Sequence, residues 1–225
     1  RGLGDVYKRQ KMDMPIFLSP TAMQSLYHPD GDKASARAAE KFGTIYSMST
    51  MASFSIEEIA NLSSGPKIFQ LYIHKDQSIT NDLIDRCKRA NFNGMCITVD
   101  TIVAGNRERD HRTGFTTPPK FTLDSLMSFA MRPQWVFNYF THKKFELANL
   151  KDKVDKGTNI AQSVMGYINE QYDPAMNWKD AEYCIKKWDG PIALKGVMSV
   201  DDAKRAIDIG CTAIMISNHG GRQLD

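Results

Sequence analysis

His219 and Arg222 share the closing stretch "SNHGGRQLD", which follows directly on the apolar run "AIMI". Histidine is the side chain whose ordinary pKa suits proton transfer near neutrality. Arginine offers a planar fork that matches a carboxylate. The two together suit a substrate that carries both a removable proton and a negative charge. In a plainer reading His219 hydrogen-bonds a loop and Arg222 is a solvated surface charge, and the motif taken alone does not separate the two.

The elements that must position such a pair are legible upstream. Six short runs read as strands: "PIFLSP" from Pro15, "TIYSMS" from Thr44, "KIFQLYI" from Lys67, "GMCITVD" from Gly94, "PIALKG" from Pro191 and "AIMISN" from Ala213. Each is nearly continuous in apolar residues, as parallel strands covered on both faces are. Helical patterns lie between them. Ser55 and Glu58 have capping-box spacing, and Ser199, Asp202 and Gly210 mark the start, first turn and end of another helix.

This alternation predicts an α/β fold, a (β/α)8 TIM barrel of which about six of the eight βα units are present. The interval between the fourth and fifth runs exceeds one helix and predicts an insertion at roughly 106–171. The leader 1–10 is polar, without period, and is set apart from the barrel read over 11–225.

In such a barrel the active site collects at the C-terminal strand ends. Those ends supply Thr21 and Ala22, Ser49, Gln70 and Tyr72, Thr98 and Asp100, Lys195, then Ser217 and His219. Small hydroxyls, an amide and a lysine suit the edge of a flat heteroaromatic cofactor. Asp100, Tyr72, His219 and Arg222 suit a small anionic substrate. Any single strand-end hydroxyl is as readily a turn cap. Gln70 is less ordinary, because a buried amide needs partners for donors and acceptor alike. Lys195 must point into the barrel mouth or be paired, since an isolated buried ammonium is costly.

Bulk properties narrow the function classes. The 225 residues are 42% hydrophobic, with 29 basic and 26 acidic side chains for a net charge of +3, which gives no broad basic surface for nucleic acid. Cys87, Cys96, Cys184 and Cys211 are scattered, without metal-ligand spacing, and read as reduced thiols of a cytoplasmic protein. No apolar run approaches the ~18 residues that span a bilayer. The protein is expected to be soluble or peripheral.

The ordered motifs "PIFLSPTAMQSLYHPDGDKASARAA", "GTIYSMSTMASFSIEEIA", "FQLYIHKD", "ITVDTIVAGNRERDHRTGF", "WKDAEYCIKKWDGPIALKGV" and "SNHGGRQLD" resemble the FMN-dependent L-2-hydroxy-acid oxidases and dehydrogenases. That family includes glycolate oxidases and L-lactate dehydrogenases that are not NAD-linked. The resemblance runs from about Lys11 to Asp225 and implies FMN as cofactor. It implies that Thr21 and Ala22 lie along the flavin and that Ser49, Gln70 and Thr98 bond its edge, with Ser217 also lining the cofactor site. It sets Lys195 near N1, where its charge stabilises the reduced flavin. It further implies His219 as base, oriented by Asp100, with Arg222 and Arg107 gripping the substrate carboxylate and Tyr72 bonding the substrate. The family's phosphate-binding segment and a further N-terminal tyrosine have no counterpart here, so the chain reads as a fragment of a longer enzyme.

Within the insertion, "FTLDSLMSFAMRPQWVFNYFTHKK" is apolar and aromatic and ends in basic residues. Such a segment can lie in a membrane interface, here 121–144 on the inner face of the cell membrane, or pack on its own barrel or another subunit. The leading expectation is oxidation of an L-2-hydroxy acid, L-lactate first, to the 2-oxo acid, with electrons passing to a quinone or respiratory carrier. The resemblance also implies a homotetramer. An oxygen-using glycolate-type oxidase releasing hydrogen peroxide is the enzyme alternative. An inactive truncated barrel with open strand edges is the alternative of another class. A flavin-free barrel that binds sugar phosphates leaves His219 and Arg222 unexplained.

Overall fold

The computed structural model describes residues 12–101, 105, 108–113, 122–142, 145–151, 171 and 173–222. Five strands, β1 (Tyr46–Ser49), β2 (Lys67–Leu71), β3 (Gly94–Thr98), β4 (Ile192–Val197) and β5 (Ala213–Ile216), form one parallel sheet in sequential order. Helices α1 (Gly31–Lys41), α2 (Ile56–Leu62) and α3 (Gln77–Arg89) alternate with β1 to β3. Three further helices, α4 (Glu108–Thr113), α5 (Leu123–Ala130) and α6 (Pro133–Thr141), lie in the expected insertion. Next come α7 (Trp178–Trp188), ahead of β4, and α8 (Val200–Asp208), ahead of β5.

The first of the six expected strands is reduced to a single parallel bridge, Leu18 to Tyr46. Pro15 and Pro20 bracket that run and carry no N–H. The Leu18 N–H donation to Ile45 O, at 3.0 Å, and the Thr44 hydroxyl donation to Ile16 O tie it to the residues leading into β1.

The strands separate their residues with a period of two. Tyr46, Met48, Phe69, Leu71, Met95, Ile97, Ile192 and Leu194 join the helices in one hydrophobic cluster that includes Ile59, Leu83, Ile84 and Cys184. The alternate positions Ser47, Ser49, Gln70, Cys96, Thr98 and Ala193 are also buried, outside that cluster. The two faces therefore differ in chemistry although both are covered: one is apolar, the other carries the hydroxyls and the amide.

Local signals place the helices as the sequence predicts. The Ser55 hydroxyl accepts from the Glu58 N–H at 3.1 Å, and Glu58 Oε2 accepts from the Ser55 N–H at 2.9 Å, closing the capping box of α2. Ser199 caps α8 by accepting from the Asp202 N–H at 3.0 Å. All four cysteines are free and buried, and burial pushes Cys96 and Cys184 up to about 12, so they pack as small apolar groups.

The end of β4 is irregular in a way that matters to the site. Lys195 pairs with Met215 and Val197 pairs with Ile216, so Gly196 is the extra residue of a bulge. Its φ is +103°, and a Cβ there would lie 2.6 Å from Asp100 Cβ. Glycine alone lets the ends of β3 and β4 come this close. Gly210 has a similar φ of +101° but open surroundings, its nearest neighbour being Ile185 Cγ2 at 3.5 Å. Both Gly→Ala changes incur backbone strain of about 1–3 kcal/mol. Gly196→Ala should lose about a further 1–3 kcal/mol to overpacking. Equal losses for the two variants in denaturant melts would contradict the steric account.

Arg86 on α3 grips Glu57 on α2 through Nε–Oε1 at 2.8 Å and Nη2–Oε2 at 2.7 Å. Those bonds hold the Glu57 carboxyl down to about 2. A carboxylate depressed in the folded state contributes stability that is complete above its unfolded value and is lost as pH falls through the folded one. Glu57 is half exposed, so the contribution is modest and screened by salt. The Tm gap between the wild type and Glu57→Gln should be widest above about pH 5 and narrow as pH falls toward about 3. A gap independent of pH would show that the charge contributes nothing.

Candidate active site

Two hydrogen-bonded groups stand at the C-terminal ends of the strands. In the first, Gln70 on β2 is the hub. Its Oε1 accepts from the Ser49 hydroxyl at 3.2 Å and the Thr50 N–H at 3.4 Å, and its Nε2 donates to Thr98 Oγ1 at 2.9 Å. The register explains the meeting: Ser49 pairs with Gln70, and Gln70 pairs with Cys96, two residues before Thr98 on the same face. Thr50 Oγ1 donates to Gln70 O at 2.7 Å and accepts from the Tyr72 N–H at 3.1 Å, which fixes the backbone that carries Tyr72.

The second group centres on Asp100, just past β3. Its Oδ1 lies 2.9 Å from His219 Nδ1, and its Oδ2 accepts from Lys195 Nζ at 3.2 Å and from the Ser217 hydroxyl at 3.3 Å. The Asp100 side chain is 9% exposed, Lys195 12% and His219 22%, so these charges interact largely out of water. Burial acts to raise the Asp100 carboxyl, but the His219 hydrogen bond and the Lys195 charge outweigh it and hold the carboxyl below its ordinary value.

An ionised carboxylate only accepts, so the Asp100 contact assigns the proton of neutral His219 to Nδ1. Lys195 Nζ also lies 3.3 Å from Nδ1. An Nδ1 that donates to Asp100 cannot accept from Lys195, and the shorter, charge-assisted bond prevails. His219 Nε2 then keeps its lone pair and can accept a proton.

The turn after β5 is built for this. The His219 N–H donates to Ser217 Oγ at 2.9 Å, and His219 has a φ of 58°, a left-handed conformation uncommon outside glycine. Gly220 and Gly221 continue it with φ of 67° and 74°. Asn218 Oδ1 accepts from the Gly221 N–H at 3.3 Å and closes the turn. Thr98 and Lys195 are direct register partners, so the two groups adjoin along β3 and β4.

Other expected site residues stand apart from these groups. Thr21 is exposed and its hydroxyl donates to Ser19 O at 3.4 Å, while Ala22 packs against the core. The adjoining Met23 N–H donates to Met51 O at 3.0 Å, which ties this segment to the turn after Ser49. Arg222 is exposed on the His219 turn. Arg107 lies outside the described residues. Sequence reading missed Thr50, although its place directly after β1 is the available signal. It also missed Gly196, whose signal is the glycine that follows Lys195 within a strand.

The donor set fits a flavin. Thr98 Oγ1 accepts from Gln70 and keeps its own O–H to donate, while Lys195, its register partner on β4, brings a positive charge held by Asp100. Carbonyl and ring-nitrogen acceptors along one edge of a flat heterocycle match such a row.

Residues 9–225 match the family described as FMN-dependent dehydrogenase. Glycolate oxidase of Spinacia oleracea is 39% identical over 215 residues, 96% of this chain and 52% of that protein. L-lactate dehydrogenase of Alcaligenes faecalis is 35% identical over 217 residues, 96% of this chain and 57% of that protein. Among solved structures, the monotopic membrane protein (S)-mandelate dehydrogenase superposes with a TM-score of 0.89 at 30% identity, covering 99% of this chain and 61% of that one. The chain thus spans about half the length of the curated relatives it matches. By the extent of the match and the collinearity of its strand ends, the chain belongs to the FMN-dependent dehydrogenase family.

Proposed function

We propose that the protein carrying this chain oxidises an L-2-hydroxy acid, L-lactate foremost, to the 2-oxo acid. The observation that carries the reading is the 2.9 Å contact between His219 Nδ1 and Asp100, with Lys195 on the other carboxylate oxygen. FMN, when bound, supplies the acceptor for the substrate's two electrons.

The chain's residues do the rest. Ser49, Gln70, Thr98 and Ser217 hold the cofactor edge, with Thr21 and Ala22 along it and Lys195 supplying positive charge beside it. Arg222 and Arg107 pair with the substrate carboxylate, and the Tyr72 hydroxyl bonds the substrate. His219 Nε2 takes the proton from the hydroxyl or from the α-carbon. Asp100 then faces the imidazolium and stabilises its charge. A positioned base of this kind contributes about 10²–10⁴-fold.

The similarity to an L-lactate dehydrogenase favours a quinone or respiratory carrier as acceptor. The similarity to a glycolate oxidase supports a second reading in which oxygen is the acceptor, and stoichiometric peroxide during turnover would identify it. Assembly as a homotetramer is part of the same proposal, with sedimentation of the full-length protein as its check.

A peripheral place on the inner face of the cell membrane is also part of the proposal. Leu123, Met127, Met131, Phe137 and Phe140 on and beside α5 and α6 are each at least 66% exposed, and the chain resembles in structure a monotopic membrane protein, (S)-mandelate dehydrogenase. Among the described residues no helix is long and apolar enough to cross a membrane.

In the full-length, flavin-loaded protein, His219→Gln should slow anaerobic flavin bleaching by L-lactate at least about 100-fold while substrate binding stays detectable. Wild-type bleaching rates in rapid mixing would sink the base. Replacing Leu123, Met127, Phe137 and Phe140 together with Ser should lower co-sedimentation with anionic vesicles at least about tenfold, since each large apolar side chain contributes about 1.5–3 kcal/mol when fully buried. Unaltered sedimentation would end the membrane assignment.

A further inference from the structure

Asp32, in the first turn of α1, is 0% exposed and far from the Asp100 cluster in sequence. A carboxylate with no access to water needs a reason to be there. Its two oxygens divide their work: Oδ1 accepts from the Tyr46 hydroxyl at 2.9 Å, and Oδ2 accepts from the Ser53 N–H at 2.9 Å. Tyr46 opens β1, and Ser53 lies in the turn between β1 and α2.

That turn holds two pieces of the candidate site. On one side Met51 N–H donates to Ser49 Oγ at 3.2 Å, and Ser49 bonds Gln70. On the other, Ser53 Oγ accepts from the Ser25 N–H at 3.1 Å, and Met51 O accepts from the Met23 N–H at 3.0 Å. Asp32 therefore sits behind the one turn that joins the Thr21–Ala22 segment to Ser49. Gly31 keeps the approach open, since a Cβ there would lie 2.8 Å from Ser25 N.

We propose that Asp32 is a positioning residue: through Ser53 it clamps the Thr21–Leu26 segment against the β1–α2 turn, and so sets the wall of the cofactor site that Thr21, Ala22 and Ser49 form. This rests on the functional reading above. Burial raises the Asp32 carboxyl more than its hydrogen bonds lower it, so a stability control accompanies the test.

The test uses the full-length protein with FMN and three variants, Asp32→Ala, Asp32→Asn and Ser53→Ala. Leu83→Ala, a core truncation on α3, serves as a stability-matched control. Two readouts are taken, amide hydrogen exchange over 21–26 and the dissociation constant for FMN. Asp32→Ala and Ser53→Ala should speed exchange over 21–26 at least about tenfold and weaken FMN at least about fivefold. Asp32→Asn, which keeps an oxygen for the Ser53 N–H, should restore most of both, and Leu83→Ala should move neither. If Asp32→Ala does not fold, Ser53→Ala alone decides, because it cuts the link to Ser25 while leaving Asp32 in place. Exchange that speeds up no more, and FMN affinity that falls no further, than in Leu83→Ala would overturn the clamp. Failure of L-lactate to bleach the wild-type flavin would instead count against the reaction, leaving the exchange result to decide Asp32.

Discussion

The structure turns on the need of one buried carboxylate for partners. Asp100 is cut off from most of the solvent, so its charge must be met by donors in fixed places. Lys195, Ser217 and His219 meet it, although they lie 95, 117 and 119 residues away along the chain. Only a sheet that sets β3, β4 and β5 side by side in parallel brings those strand ends together. The same need fixes local details. The β4 bulge at Gly196 lets Asp100 approach, and the left-handed His219 turns its imidazole back onto the carboxylate. Strain of this kind persists where surrounding contacts over-determine it.

The Gln70 group follows a different logic. It carries no charge, and its bonds run between neighbouring strands whose register already fixes their spacing. Its cost on folding is therefore small, and its geometry is as rigid as the sheet. Residues on strand ends and residues on loops thus divide the candidate site. Gln70, Thr98 and Lys195 are held by the barrel, while Thr21 and Arg222 are exposed on connecting segments. A rigid heterocycle suits the strand-borne set, and the proposed Arg222 clamp, which would have to admit and release substrate, suits a loop.

Much of this was legible in the sequence because the physics is local. Apolar runs ending in polar residues located β1 to β5 and their mouths, and the requirement that Lys195 point into the barrel mouth or be paired is met by a partner the sequence did not name, Asp100. What stayed hidden depends on three-dimensional approach. Asp32 reads as an ordinary acid in a helix's first turn, where it suits the helix dipole, and only its burial against Tyr46 and Ser53 reveals otherwise. Thr50 reads as a turn hydroxyl, yet it joins Gln70 O to the Tyr72 N–H. The run from Pro15 has the composition of a strand but only one bridge among the described residues, with Ile16 and Phe17 exposed and Pro15 and Pro20 unable to donate to a ladder.

The α5–α6 pair connects these points to the molecule's surface. Phe129, Trp135 and Tyr139 stack in succession, with centroids 5.6 and 5.3 Å apart, and Trp135 Nε1 donates to Leu26 O at 2.9 Å. Leu26 ends the short 3-10 turn that follows Thr21 and Ala22. One hydrogen bond contributes only about 0.5–1.5 kcal/mol, too little to orient two helices whose apolar side chains are mostly exposed. In the proposed membrane placement, burial of that apolar face would contribute more than this one bond to fixing the pair. Because the pair is fastened to the Thr21–Leu26 segment, such burial would also bear on the wall of the candidate site.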